Sequence, residues 1–204
     1  MRGFTLIELL ISAAIISVIT SIVLVRFNVF DGTVLIKSLA YEVGATIREA
    51  QIYSVSVVNV GTGTDAGFRY PYGLSFTPDD TGYVFYRYDD SDPGATPHYD
   101  TGNTTEVRTL ALANSMEIAD VCITDNGTDD CSIARLDISF RRPEFSAIFY
   151  APSVGSPSTV SAGKVYIRST RSPDNVWIVE TKLLGQISVY RCTSAMSTPT
   201  VTCL

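Results

Sequence analysis

The sequence predicts an α+β fold in which one long N-terminal helix packs on an antiparallel β-sheet head. Three observations predict it. An almost wholly apolar run covers Phe4–Val25, and apolar residues then recur every three or four positions over Val34–Ser56. Beyond Gly61 the chain turns to short runs rich in Val, Ile, Thr, Tyr and Phe, divided by Gly, Pro, Asn and Asp. A length of 204 residues suits one domain with an appendage, and about 180 residues remain outside the apolar run, enough to bury a core.

The first element is the apolar run. Its length, about 22 residues, is sufficient for a helix to cross a hydrocarbon core. A secretory signal peptide has a shorter apolar stretch and a small-residue cleavage site, whereas this run leads into Val25-Arg26-Phe27. A plain membrane anchor accounts for the hydrophobicity but leaves Glu8 unexplained, because an unpartnered acid inside a membrane helix costs a few kcal/mol.

A third reading accounts for Glu8. Gly3-Phe4-Thr5-Leu6-Ile7-Glu8, behind Arg2 and ahead of the apolar helix, resembles the class III signal of type IV pilins and of the pseudopilins of type II secretion. The resemblance implies that a membrane aspartic protease, the prepilin peptidase, cuts between Gly3 and Phe4 on the cytoplasmic side and methylates the new amine of Phe4. It implies a leader at 1–3, a transmembrane and filament-core helix at 4–26, an amphipathic helix at 27–58 and an extracytoplasmic head at 59–204. Glu8 then reads as an assembly residue: the Phe4 amine of one subunit pairs with the Glu8 carboxylate of another, which cancels two charges costly alone in an apolar core and sets axial register. Other pilin subunits and the inner membrane are the implied partners. Ser12, Ala13, Ala14, Ser17 and Ser21 permit close helix approach, or serve as neutral filler.

The second element is the amphipathic stretch. Leu35, Leu39, Val43, Ile47 and Ala50 form its apolar side, while Lys37, Glu42, Arg48 and Glu49 form its polar side. Asn28–Thr33 interrupts the apolar pattern, and Gly44 weakens the helix locally.

About nine strands follow. Gly73–Thr77 and Tyr83–Tyr88 read as a hairpin, then come Val107–Ala113, Met116–Thr124, Arg135–Arg141, Phe145–Tyr150, Lys164–Ser169, Val176–Thr181 and Gln186–Tyr190. Asp89–Gly102, Asn126–Asp130 and Ser153–Gly163 read as loops, and SPDN and Leu183-Leu184-Gly185 as connections. A Tyr-Gly-Leu-x-Phe strand, Phe140-Arg-Arg-Pro143 and a closing Gly-Gln-Ile-x-Val hairpin resemble GspH/FimT-type minor pseudopilins.

The remaining residues bound the chemistry. The net charge of −6 argues against a broad nucleic-acid face. Arg141, Arg142, Lys164, Arg168 and Arg171 are a candidate DNA-contacting set, weighed against ordinary exposed charges. Cys122 and Cys131, then Cys192 and Cys203, form local pairs without zinc spacing; disulfides in an oxidising compartment compete with reduced buried thiols. Asp89-Asp90-Ser91-Asp92 offers clustered oxygens of the kind Ca²⁺ takes, or a solvated turn. His98 is the sole histidine, expected at the surface, and no convergent nucleophile and base point to an enzyme. The expected function is that of a structural minor subunit of a type IV pilus or a type II secretion pseudopilus, with a DNA-uptake or adhesive tip subunit as the alternative.

Overall fold

A computed structural model describes residues 5–56, 70–89, 94–112, 115–155, 159–170 and 172–192, with backbone only at 24–33 and 172–174. The fold is α+β: among the described residues a helix α1, Leu6–Val55, is followed by ten strands in two antiparallel five-stranded sheets. It divides into two compact units, 1–35 and 36–204.

The first unit holds the apolar part of α1. Leu6–Val23 is long and apolar enough to cross a membrane, and none of it is buried. Its hydroxyls are satisfied within the helix: Ser12 Oγ donates to the Glu8 carbonyl (2.9 Å), Thr20 Oγ1 to that of Ile16 (2.7 Å) and Ser21 Oγ to that of Ser17 (2.8 Å). Such back-bonding removes the donors that would make these residues costly in lipid. The helical backbone continues through Asn28–Thr33, so the Asp-Gly pair does not end it.

The second unit is the head. Sheet A has the order β3-β2-β1-β6-β7, with β1 Tyr72–Phe76, β2 Gly82–Tyr88, β3 Thr104–Ala111, β6 Leu136–Phe140 and β7 Ala147–Tyr150. Sheet B has the order β10-β9-β8-β4-β5, with β4 Met116–Asp125, β5 Thr128–Asp130, β8 Val160–Ser169, β9 Ser172–Lys182 and β10 Ile187–Cys192. One core takes Ile36, Val43 and Ile47 from α1, Leu74, Phe85 and Ile138 from sheet A, and Val165, Ile167 and Val179 from sheet B. Each strand alternates its side chains between two faces, which is why the sequence of β6 buries Leu136, Ile138 and Phe140 in this core and turns Asp137 and Ser139 away.

The helix seats through both apolar and polar contacts. Ile36 is wholly buried while Leu35 is 47% exposed, which shifts the expected apolar side by one position at its start. Gly44 faces β10: a Cβ there would lie 3.1 Å from Val189, so the glycine permits close helix–sheet approach. Gln51 Nε2 donates to the carbonyls of Phe145 (2.9 Å) and Gly185 (3.3 Å), and Ser54 Oγ accepts from Tyr72 N (2.9 Å). These buried polar groups are partnered, as buried polar groups must be.

The expected hairpin of β1 and β2 is present, as is the β9–β10 hairpin at Leu183-Leu184-Gly185. Three expected loops or connections differ. Asn126–Asp130 contains β5, a short strand that pairs Asp129 with Thr124 beside the hairpin turn. Ser153–Gly163 ends in β8, whose first residues pair with β4 and β9. Ser172–Asn175 opens β9 and is not a connection, because Ser169 pairs directly with Ser172. Small and polar residues hid these segments, since pairing here comes from neighbouring strands and not from local β preference.

β3 is an edge of sheet A and is exposed along most of its length. Phe85 pairs with Arg108 and Tyr86 with Glu106, which leaves Val107 as an extra residue in a bulge. The two charged neighbours therefore serve opposite faces: Glu106 accepts from Tyr99 Oη, and Arg108 pairs with Glu49 and lies over the Phe85 ring (5.3 Å).

Candidate functional site

The site that the sequence singles out lies at the start of α1. Gly3 and Phe4 lie outside the described residues. Glu8 occupies the first turn of α1 and is exposed. Its N–H donates to the Thr5 carbonyl (3.1 Å), as does the N–H of Leu9 (3.2 Å). Thr5-x-x-Glu8 has the spacing of a capping box, and an acid in a first turn is favoured by the helix dipole. Apart from Thr5 and Ser12, the helix around Glu8 presents apolar bulk: Leu6, Ile7, Leu9 and Ile11 are exposed by 81%, 67%, 64% and 56%. Within the first unit, an exposed carboxylate thus stands on a helix with no other charged residue between Thr5 and Val23.

Residues 1–24 match the family model of the prokaryotic N-terminal methylation motif. The match covers the segment that carries Gly3, Phe4 and Glu8 and supports a type IV pilin-like chain, processed by prepilin peptidase and anchored in a membrane before assembly. That motif family is structural and not enzymatic. No curated protein and no solved structure matches the chain.

The candidate head residues are dispersed. Arg168 Nε pairs with Glu117 Oε1 (2.5 Å) and its terminal nitrogen with Asp79 (3.6 Å), while Lys164 Nζ pairs with Asp129 (2.6 Å). Both cations sit on β8 of sheet B, held by acids. Arg141 follows β6 of sheet A and donates to the Ala95 carbonyl. Arg142 adjoins it, and Arg171 lies outside the described residues. The set is therefore split between two sheets, and its β8 members are already neutralised.

Cys122 and Cys131 form a disulfide that clasps β4 to the segment after β5. Cys192 is disulfide-bonded as well, and Cys203 lies outside the described residues. Cys122, Cys131 and Cys192 gather with Tyr166, Val176 and Ile178 in a small second core on the outer face of sheet B. Burial there pushes the Tyr190 hydroxyl up to about 12, with Glu180 and Asp129 adding to the shift. Asp120 lies within 4.8 Å of both sulfurs, but the oxidised pair offers no thiolate to a metal.

Asp89 is engaged: Oδ1 pairs with Arg87 Nε (2.5 Å) and Oδ2 accepts from Thr105. Asp90, Ser91 and Asp92 lie outside the described residues, so the stretch weighed as a calcium loop or a solvated turn is described only at Asp89, whose carboxylate is already engaged. His98 is not a free surface histidine. Its ring stacks on Tyr150 at 4.2 Å and lies 5.8 Å from Tyr88, and Nδ1 is 2.8 Å from the Thr96 carbonyl.

One constellation joins residues that are distant in the sequence. Asp137 is wholly buried on the outer face of sheet A, where Oδ2 accepts from Tyr99 N (3.0 Å) and pairs with Arg135 (3.0 Å). Burial raises its pKa, opposed by Ser75, by the Arg135 charge and by the Tyr99 N–H. The Tyr86 hydroxyl is held well above its ordinary range, first by burial and then by Asp137. Alternation within β6 was the available signal, since a polar Asp137-x-Ser139 face needs either water or a cover.

Proposed function

We propose that the chain is a minor pilin or pseudopilin, of the GspH/FimT type, in a type IV pilus or a type II secretion pseudopilus. The observation that carries this reading is the methylation-motif match over residues 1–24, with Glu8 inside the apolar helix. Cleavage between Gly3 and Phe4 leaves a methylated amine one helical turn from Glu8. In a filament, the amine of one subunit pairs with Glu8 of its neighbour, so each charge is neutralised as it leaves the membrane. The leader is 1–3, the filament-core segment 4–26, and the head carries the subunit's outward surface. The back-bonded Ser12, Thr20 and Ser21 support it, because their hydroxyls demand no partner in either environment.

The test separates insertion from assembly. Glu8→Ala inserts, is cleaved after Gly3 and is methylated, yet enters filaments at a small fraction of the wild-type level. Normal incorporation of that variant into sheared filaments would overturn the charge-pair role.

A further inference from the structure

The outer face of sheet A is covered by the chain itself, and the cover is held in an unusual manner. Arg135, Asp137, Ser139 and Arg141 stand two residues apart along β6 and its flanks, so all four point away from the core. Each grips a main-chain group of Ala95–Tyr99. Arg135 donates to the Tyr99 carbonyl (2.8 Å), and Asp137 accepts from the Tyr99 N–H (3.0 Å). Ser139 donates to the Pro97 carbonyl (3.0 Å), and Arg141 to the Ala95 carbonyl. Arg135 and Asp137 both engage Tyr99, and from Asp137 onward each two-residue step along β6 moves back two along the strap, so the strap runs antiparallel to β6 with strand-like repeat. Its carbonyls at 95, 97 and 99 are read in place of the side chains there, while the His98 ring lies against Tyr150 and Tyr88.

This is the pattern by which a receptor binds an extended peptide: main-chain groups supply the hydrogen bonds and an aromatic pocket supplies the choice of sequence. We propose that the outer face of sheet A is an extended-peptide cradle, filled in cis by Ala95–Tyr99, and that it takes the same strap from a second copy of the chain when heads are held side by side. The second copy is the fitting partner because its strap carries the spacing, the proline carbonyl and the histidine that the cradle grips. Exchange of an identical segment keeps every contact, so its cost is confined to the connecting chain. Side-by-side heads on a shared membrane or filament raise the effective concentration to the millimolar range, about the regime where a short segment competes with its own covalent copy. The exchange rests on the assembly reading above; the cradle itself does not.

Two measurements test this on the full chain in detergent micelles. A labelled peptide of sequence Gly94–Asp100 is titrated against wild type and against Pro97→Gly/His98→Ser, whose own strap grips less well; folding is verified by the intact Cys122–Cys131 bond. The peptide binds the strap variant about tenfold more tightly than wild type, because a filled site lowers apparent affinity by its occupied fraction. Adding Asp137→Ala and Ser139→Ala, which remove the acceptor for the Tyr99 N–H and the donor to the Pro97 carbonyl, abolishes that gain. A folded strap variant that does not bind the peptide overturns the cradle. For exchange, chains carrying His98→Cys are mixed in membrane vesicles with chains carrying Tyr150→Cys and treated with a short thiol crosslinker. A crosslink between chains is the expected result. Closure of the double variant within one chain, with none between chains in the mixture, overturns exchange. Glu8→Ala leaves peptide binding unchanged, so a failure of the assembly reading remains distinct from a failure of the cradle.

Discussion

Asp137 shows what a single residue contributes to the head. A carboxylate with no exposure is costly unless paired, and Arg135 and the Tyr99 N–H offset only part of that cost. Burial is the largest influence on its pKa and raises it. An acid whose folded pKa lies above its unfolded value binds its proton more tightly when folded. Stability therefore falls as pH rises from the unfolded value through the folded one, and is level above it. Asp137→Asn keeps an acceptor for Tyr99 but cannot titrate, so it flattens this slope; urea midpoints of both proteins across the acid range measure it. The residue is plain in the sequence, yet its burial is not, because alternation within β6 allows either water or a cover on that face and the cover arrives from residues 95–99. Glu8, in contrast, stands out in the sequence itself, since a charge inside so long an apolar run calls for a partner.

Among the elements, the hairpins and α1 were the most readable, because their periodicity is local. The β5 pairing and the start of β9 were not, since they depend on the partner strand and carry Thr, Asp, Asn and Pro. Two elements invite measurement. The β9–β10 turn holds Gly185 at φ +80°, and a Cβ there would lie 2.2 Å from the Phe145 carbonyl oxygen and 2.4 Å from Gln51 Nε2. Gly185→Ala meets both a conformational penalty and a clash, and is expected to lower stability by about 2–3 kcal/mol in chemical denaturation. The clasp across the β4–β5 hairpin joins residues 9 apart in sequence. Replacing Cys122 and Cys131 together by Ser frees the unfolded chain of that constraint and costs about 2–3 kcal/mol on a chain-entropy account. Calorimetry of the double variant against wild type gives the comparison.

For the whole molecule, the division at residue 35 carries a functional meaning. The unit from 36 to 204 contains a core fed by the helix and both sheets, whereas none of Leu6–Val23 is buried. A fragment beginning at Leu35 should accordingly be soluble, unfold cooperatively and keep the Cys122–Cys131 bond. Loss of a sharp unfolding transition in that fragment would show that the head needs the preceding helix. The overall class was legible because apolar runs, helical spacing and strand spacing occupy separate stretches of sequence. The strap and the outer-face cluster of cysteines were not, because each joins segments far apart in the chain.

The bulge in β3 has a consequence for crowding. Chains anchored side by side in a membrane meet at far higher density than free proteins, and an exposed sheet edge is then an open template for runaway polymerisation. Val107 breaks the regular spacing of N–H and C=O groups along that edge, and the charges of Glu106 and Arg108 flank the break. A neighbour's strand finds no continuous ladder to extend. Heads that meet along this edge therefore do not extend one another's sheets.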